Sequence, residues 1–152
     1  MSYSVESVAY WYLSKEEMSP KKLQKILYYA YSWFLTLQNE SSDELENKLF
    51  EENFEAWVHG PVINSVYDQY RHYGYKEIDK FEGDLPKFDS EALDVMEQVW
   101  EVYGGYSGNE LENITHQESP WLNARKGYQP LDRCRNEIED KDIFECYIQR
   151  VN

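Results

Sequence analysis

The sequence predicts a mainly α-helical fold, a single compact domain of roughly six or seven helices with one small β-hairpin. Three observations carry this. Apolar residues recur every three or four positions along most of the chain. Ser-Pro, Asp-Ser and glycine signals punctuate those stretches as helix starts and stops. Phe54–Val58 alternates with the period of a strand and is broken by Gly60-Pro61. The length of 152 residues suits one domain, and a domain of that size buries roughly two-thirds of its unfolded surface.

The first helix is expected after Ser4, a side-chain cap, with Val5, Val8, Ala9, Tyr12 and Leu13 on one face. Ser19-Pro20 starts the second, proline standing at the first helical position where its missing N–H costs nothing. Leu23, Ile26, Leu27, Ala30, Tyr31, Phe34 and Leu37 keep the period, and Tyr28, Tyr29 and Trp33 widen the apolar surface. That helix is expected at the centre of the fold. A polar loop follows over Glu40–Lys48, and then the strand Phe54–Val58, with Tyr75–Ile78 as its expected hairpin partner. Pro61 is expected to open a third helix reaching Tyr73, stopped by Gly74. Asp89-Ser90 caps a helix carrying Leu93, Met96, Trp100 and Tyr103. Ser107 and Glu110 have capping-box spacing before Leu111 and Ile114. Ser119-Pro120 opens a short turn with Trp121 and Leu122, and the last helix, Glu139–Gln149, buries Ile143, Phe144, Tyr147 and Ile148.

Charge narrows the function. Twenty-nine acidic residues against 15 basic ones give a net charge of −14. Nucleic-acid binders neutralise phosphates with basic patches, so direct nucleic-acid binding is disfavoured, as is an anionic membrane. A basic protein partner would be steered toward such a surface. The 14 tyrosines and 5 tryptophans supply core rings first and partner contacts second. No segment approaches the roughly 18 apolar residues of a membrane span. Met1-Ser2-Tyr3-Ser4 has no basic leader region, and Cys134 and Cys146 match no zinc or redox spacing. A cytoplasmic protein with free thiols is expected.

Chemistry-bearing motifs are sparse. His59, His72 and His116 form no metal-ligand spacing, although His59, His116 and a carboxylate such as Glu118 could meet at two helix starts. No serine or cysteine nucleophile motif is present, and Gly104–Gly108 lacks the lysine and preceding strand of a phosphate loop. Lys25 lies in an apolar helix and should reach out to water or find a carboxylate, with Glu55 as candidate.

Three blocks in order carry a family resemblance. Leu23-Gln24-Lys25-Ile26-Leu27-Tyr28-Tyr29-Ala30 resembles a helix near the start of the Panacea (SocA-like) antitoxin domain, which also occurs in phage-associated proteins. Phe54-Glu55-Ala56-Trp57-Val58-His59-Gly60-Pro61-Val62, followed by Tyr67, resembles its Ala-Trp and Gly-Pro-Val block. Leu111 through Thr115-His116, then Pro120-Trp121 and Ala124-Arg125, resembles its later Thr-His, Pro-Trp and Ala-Arg block. The resemblance spans about Val5 to Ile148. It implies an antitoxin that neutralises a protein toxin, usually encoded beside it, by direct binding, with no enzyme activity and no cofactor. Its motif positions here are Lys25, Tyr28, Glu55, Trp57, His59, Gly60, Pro61, Thr115, His116, Pro120, Trp121 and Arg125. Trp57, Pro61 and Trp121 read as core or turn residues ahead of contact sites, and Thr115-His116 is the candidate functional polar pair. Two rival readings are an adaptor that hands a bound partner to a protease, and a hydrolase or nuclease using His59, His116 and carboxylates.

Overall fold

The computed structural model describes residues 2–151. Among these residues are seven α-helices: α1 (Val5–Leu13), α2 (Pro20–Leu37), α3 (Asn64–Tyr70), α4 (Ser90–Tyr103), α5 (Gly108–Thr115), α6 (Ser119–Ala124) and α7 (Asp140–Tyr147). Two short strands, β1 (Glu55–Trp57) and β2 (Gly60–Val62), make one antiparallel hairpin.

α2 is the axis of the molecule, packed by α1, α3, α4, α5, α7 and β2. Ser19 accepts the Lys22 N–H at 3.1 Å, so the Ser-Pro signal caps the helix as expected. Every residue from Lys22 to Ser32 is buried. A helix covered all round must satisfy its own polar groups inside the protein. Gln24 does so twice, donating to the Ile63 carbonyl at 3.1 Å and accepting the Ile63 N–H at 2.9 Å. Tyr29 and Tyr31 donate to the carboxylates of Glu118 and Asp140, both at 2.7 Å. The rings of Tyr28, Tyr31, Phe50 and Phe54 form a contiguous cluster of tilted and edge-on contacts. Seven tyrosines, 12, 28, 29, 31, 70, 103 and 147, are core residues.

Three further helix starts follow their signals. Ser4 caps α1, Asp89 caps α4, and Ser107 with Glu110 closes a capping box on α5. Two apolar positions expected in the core are instead exposed: Leu37, in the last turn of α2, and Ile148, which follows α7 in a 3-10 turn.

Two expectations around Gly60-Pro61 are corrected. β1 does not pair with Tyr75–Ile78; its partner is β2, with Ala56 opposite Pro61, while Ile78 bridges to Met18. Pro61 does not open a helix; it is the middle residue of β2, and α3 starts at Asn64 and gives way to a 3-10 turn at Arg71. The physical reason lies in the register. Ala56 uses its N–H on the Asn136 carbonyl and its own carbonyl on Arg125, so both point away from β2. The opposing residue needs no N–H toward β1, and proline fits there without losing a ladder bond. Gly60, at φ 107°, supplies the tight reversal.

β1 is further held on its far side by the segment before α7, where the Ile138 N–H donates to the Phe54 carbonyl at 2.7 Å.

Candidate functional site

The hairpin is the point on which the three sequence blocks converge. From α2, Lys25 donates to the Pro61 carbonyl at 3.1 Å. From α6, the Trp121 indole donates to the Trp57 carbonyl at 2.8 Å. Just after α6, Arg125 donates to the carbonyls of Ala56 at 2.9 Å, Gln129 at 3.0 Å and Asp132 at 2.6 Å. Two buried cations therefore grip the hairpin from opposite edges, each through backbone dipoles rather than a carboxylate. A planar guanidinium with five donors suits three separate carbonyls. Pro120, in the first turn of α6, is buried, which sets where Trp121 and Arg125 lie.

The expected Lys25–Glu55 pair does not form. Glu55 accepts from the Trp57 indole at 2.7 Å and from Arg135 at 3.1 Å, on the outer side of the hairpin. Lys25 is 1% exposed, too deep to reach water. Burial pushes its pKa down to about 7, against the pull of the Glu112 charge and with a small push from Lys21. A half-neutral amine on a carbonyl is the least costly arrangement for a lysine locked this deep. Tyr28 lies one turn further along α2, edge-on to Phe54 and hydrogen-bonded to Tyr147 at 3.2 Å. It belongs to the core.

Gly60 sits directly over Lys25. A Cβ at this position would lie 2.7 Å from Lys25 Cε and 3.1 Å from Thr115 Oγ1. Thr115 is buried and turns its hydroxyl back to the Glu112 carbonyl at 2.8 Å. His116 stacks on Trp121, with centroids 4.0 Å apart and the planes 19° from parallel. Its pKa is lowered by burial, aided by the nearby Lys25 and His59 and opposed by Glu112 and the Val58 backbone. Its Nε2 is buried with no hydrogen-bond partner. Thr115 and His116 thus pack under the hairpin and do not form a polar pair facing solvent.

The histidine–carboxylate site proposed from sequence is not assembled. His59 is exposed and meets Glu112 at 3.2 Å, whereas Glu118 is taken by Tyr29, Tyr147 and Arg150. Among the described residues no group of three histidine, cysteine or acidic side chains is placed to hold a metal ion. Glu112 was one acidic residue among 29 in the sequence; the structure makes it the local charge centre. Burial works to raise its pKa, but hydrogen bonds from Lys21 and His59 outweigh that and hold it below the usual carboxylate range. Lys21 reaches it at 2.7 Å.

Outside this packed hub lies a groove of about 410 Å³ between α2, the hairpin and α3, lined by Lys21, Lys25, Trp57, His59, Tyr67 and Arg71 among others. Trp57 and Tyr67 meet edge to face at 4.9 Å, and Arg71 lies 5.6 Å from the Tyr67 ring. Lys25, Trp57, His59 and Tyr67 stand in the family blocks of the sequence; Lys21 and Arg71 do not, and only the fold brings them alongside.

No curated protein and no solved structure matches the chain. The family model described as antitoxin SocA-like, Panacea domain, matches residues 23–122, from the first buried turn of α2 to α6. That span is more than half of the chain and contains the hairpin with most of the side chains that hold it, so the chain belongs to the SocA-like antitoxin family of the Panacea domain.

Proposed function

We propose that the chain is the antitoxin of a toxin–antitoxin pair, acting in the cytoplasm as a single domain, and that it neutralises a protein toxin encoded beside it by binding it directly. The observation that carries this is the family match over residues 23–122. The architecture agrees with binding rather than catalysis. Lys25, Tyr28, Gly60, Pro61, Thr115, His116, Pro120, Trp121 and Arg125 serve to build the hairpin hub. Glu55, Trp57 and His59 lie at its outer face, where a partner can touch them. The net charge of −14 argues for a protein partner over a nucleic acid. No helix among the described residues is long and apolar enough to cross a membrane.

Co-expression with the neighbouring gene tests the reading. That gene's product alone should arrest growth, and this chain should restore it. If the product is harmless alone, or arrests growth equally in the presence of this chain, the proposal fails. Toxin abundance separates the mechanisms: a toxin that persists but is silenced marks direct neutralisation, whereas one that disappears only when this chain is present marks delivery to a protease.

A further inference from the structure

The groove beside the hairpin has a composition at odds with the rest of the molecule. The chain carries 29 acidic residues, yet neither this groove nor the smaller pocket adjoining it at Trp57 and His59 has an aspartate or glutamate in its lining. Cations line both: Lys21, Lys25 and Arg71 in the groove, Arg133 and Arg135 in the pocket. Arg71 and Lys25 have no carboxylate within ion-pair distance among the described residues. Lys25, held on the Pro61 carbonyl and 1% exposed, lies beneath the groove and adds its charge from below. Aromatic rings stand between these charges. Tyr67 is 40% exposed and Tyr75 is fully exposed at the groove's end. Tryptophan, tyrosine and arginine are the residue types that dominate binding energy at protein interfaces.

We infer that this groove is the surface that engages the toxin, and that it takes an acidic segment of the toxin whose carboxylates pair with Arg71 and Lys21, above the buried Lys25, while an apolar side chain packs on Trp57 and Tyr67. The inference rests on the antitoxin reading and specifies which surface performs it. Charge complementarity selects the occupant. A segment with two carboxylates gives Arg71 the ion pair it lacks and adds a second acid to Lys21, which already meets Glu112. A nucleic-acid strand would set a continuous row of phosphates against a molecule of net charge −14. A second copy of this chain would bring another −14 and is disfavoured on the same ground. The depressed pKa of Lys25 gives the site a signature, since a carboxylate brought into the groove favours the charged amine. Binding near pH 7.5 should take up a proton there, with Lys21, Glu112, His59 and His116 as the charged or titratable groups around it.

The test uses the full chain and the protein encoded beside it. Arg71→Glu and Tyr67→Ala change exposed side chains and leave the hub intact, which unchanged melting temperatures would verify. Each should weaken toxin affinity by tenfold or more in calorimetry and lose rescue of growth, while Lys141→Glu, remote from the groove lining, should do neither. Variants that bind and rescue within twofold of wild type overturn the inference and leave the antitoxin reading standing. If the neighbouring protein does not bind the wild-type chain at all, the antitoxin reading falls, and a second probe decides the groove on its own. A capped heptapeptide alternating glutamate and tyrosine should shift the Trp57 indole N–H resonance saturably, and less by at least tenfold in affinity with Arg71→Glu. A lysine–tyrosine heptapeptide and a 20-nucleotide single strand should leave that resonance in place. No shift with the acidic peptide, or a stronger response to the strand, overturns the inference.

Discussion

Lys25 holds its amine where it is 1% exposed, on the carbonyl of Pro61, with no carboxylate in ion-pair contact among the described residues. Its pKa is about 7 in the fold and returns to the ordinary lysine value of about 10.5 when the chain unfolds. Between those values the unfolded chain binds the extra proton, so stability must rise with pH across that window. Below pH 7 both states are protonated and the burial penalty is fully present. Urea denaturation should show a gain of about 2 kcal/mol from pH 7 to pH 9, and Lys25→Met should flatten that rise. A flat wild-type profile would mean that the amine is solvated or ion-paired after all. The residue above it yields a second prediction. Gly60 has φ 107° and would place a Cβ 2.7 Å from Lys25 Cε. Gly74 also has positive φ, 60°, but a Cβ there meets nothing within 4 Å. Both alanine variants carry backbone strain of about 1–3 kcal/mol; only Gly60→Ala adds the clash with Lys25. Thermal melts should therefore rank Gly60→Ala below Gly74→Ala, and equal losses would show that the close approach is relieved at no cost.

At the scale of elements, the hairpin is two three-residue strands, too short to persist without support. Its stability is borrowed from α2, α6 and the segment at Asn136–Ile138, through Lys25, Trp121, Arg125 and the backbone bonds to Ala56 and Phe54. This explains which parts of the fold were legible in the sequence. Helix caps are local chemistry, and Ser4, Ser19, Asp89 and the Ser107–Glu110 box announce themselves within four residues. The partner of β1 was not legible, because Pro61 carries the same signal at a helix start as at a strand position whose N–H points away. The Lys25 contact was equally hidden: buried lysines usually find acids, and only tertiary structure brings a carbonyl instead. Trp57 and His59 were visible as motif residues, but Lys21, Arg71 and Glu112 acquire their place in the site from three different helix contexts. Arg125 is the sharpest test of the borrowed stability. Arg125→Lys keeps the charge but cannot span the carbonyls of Ala56, Gln129 and Asp132. It should cost about 2–4 kcal/mol and speed amide exchange at Ala56 and Ile138 more than in α1. Uniform loss of protection across the chain would instead mean that hairpin and helices unfold as one.

At the scale of the whole molecule, the family match ends at Leu122, but the physical unit does not. The residues beyond it close the fold in three places. Arg125 and the Asn136–Ile138 segment complete both sides of β1. α7 lays Ile143, Phe144 and Tyr147 into the core, and it packs against α2 and α6. Tyr147 and Arg150 satisfy Glu118, whose carboxylate is 7% exposed and also accepts from Tyr29. Remove them and a buried carboxylate loses two of its three partners, while Tyr28, Tyr29 and Trp33 lose the ring they pack on. Each buried large side chain contributes roughly 1.5–3 kcal/mol, and a domain's net stability is only about 5–15 kcal/mol. Losing three such side chains together with the Arg125 clamp exhausts that margin. A chain stopped after Leu122 should therefore show no cooperative thermal transition and should bind a dye for exposed apolar surface, although it retains the whole matched segment. Adding residues 123–151 back as a separate peptide should restore the transition if packing of α7 is what was missing. A truncated chain that melts cooperatively near the temperature of the full one would place the stability within residues 1–122 and make α7 an attachment, not a wall of the core.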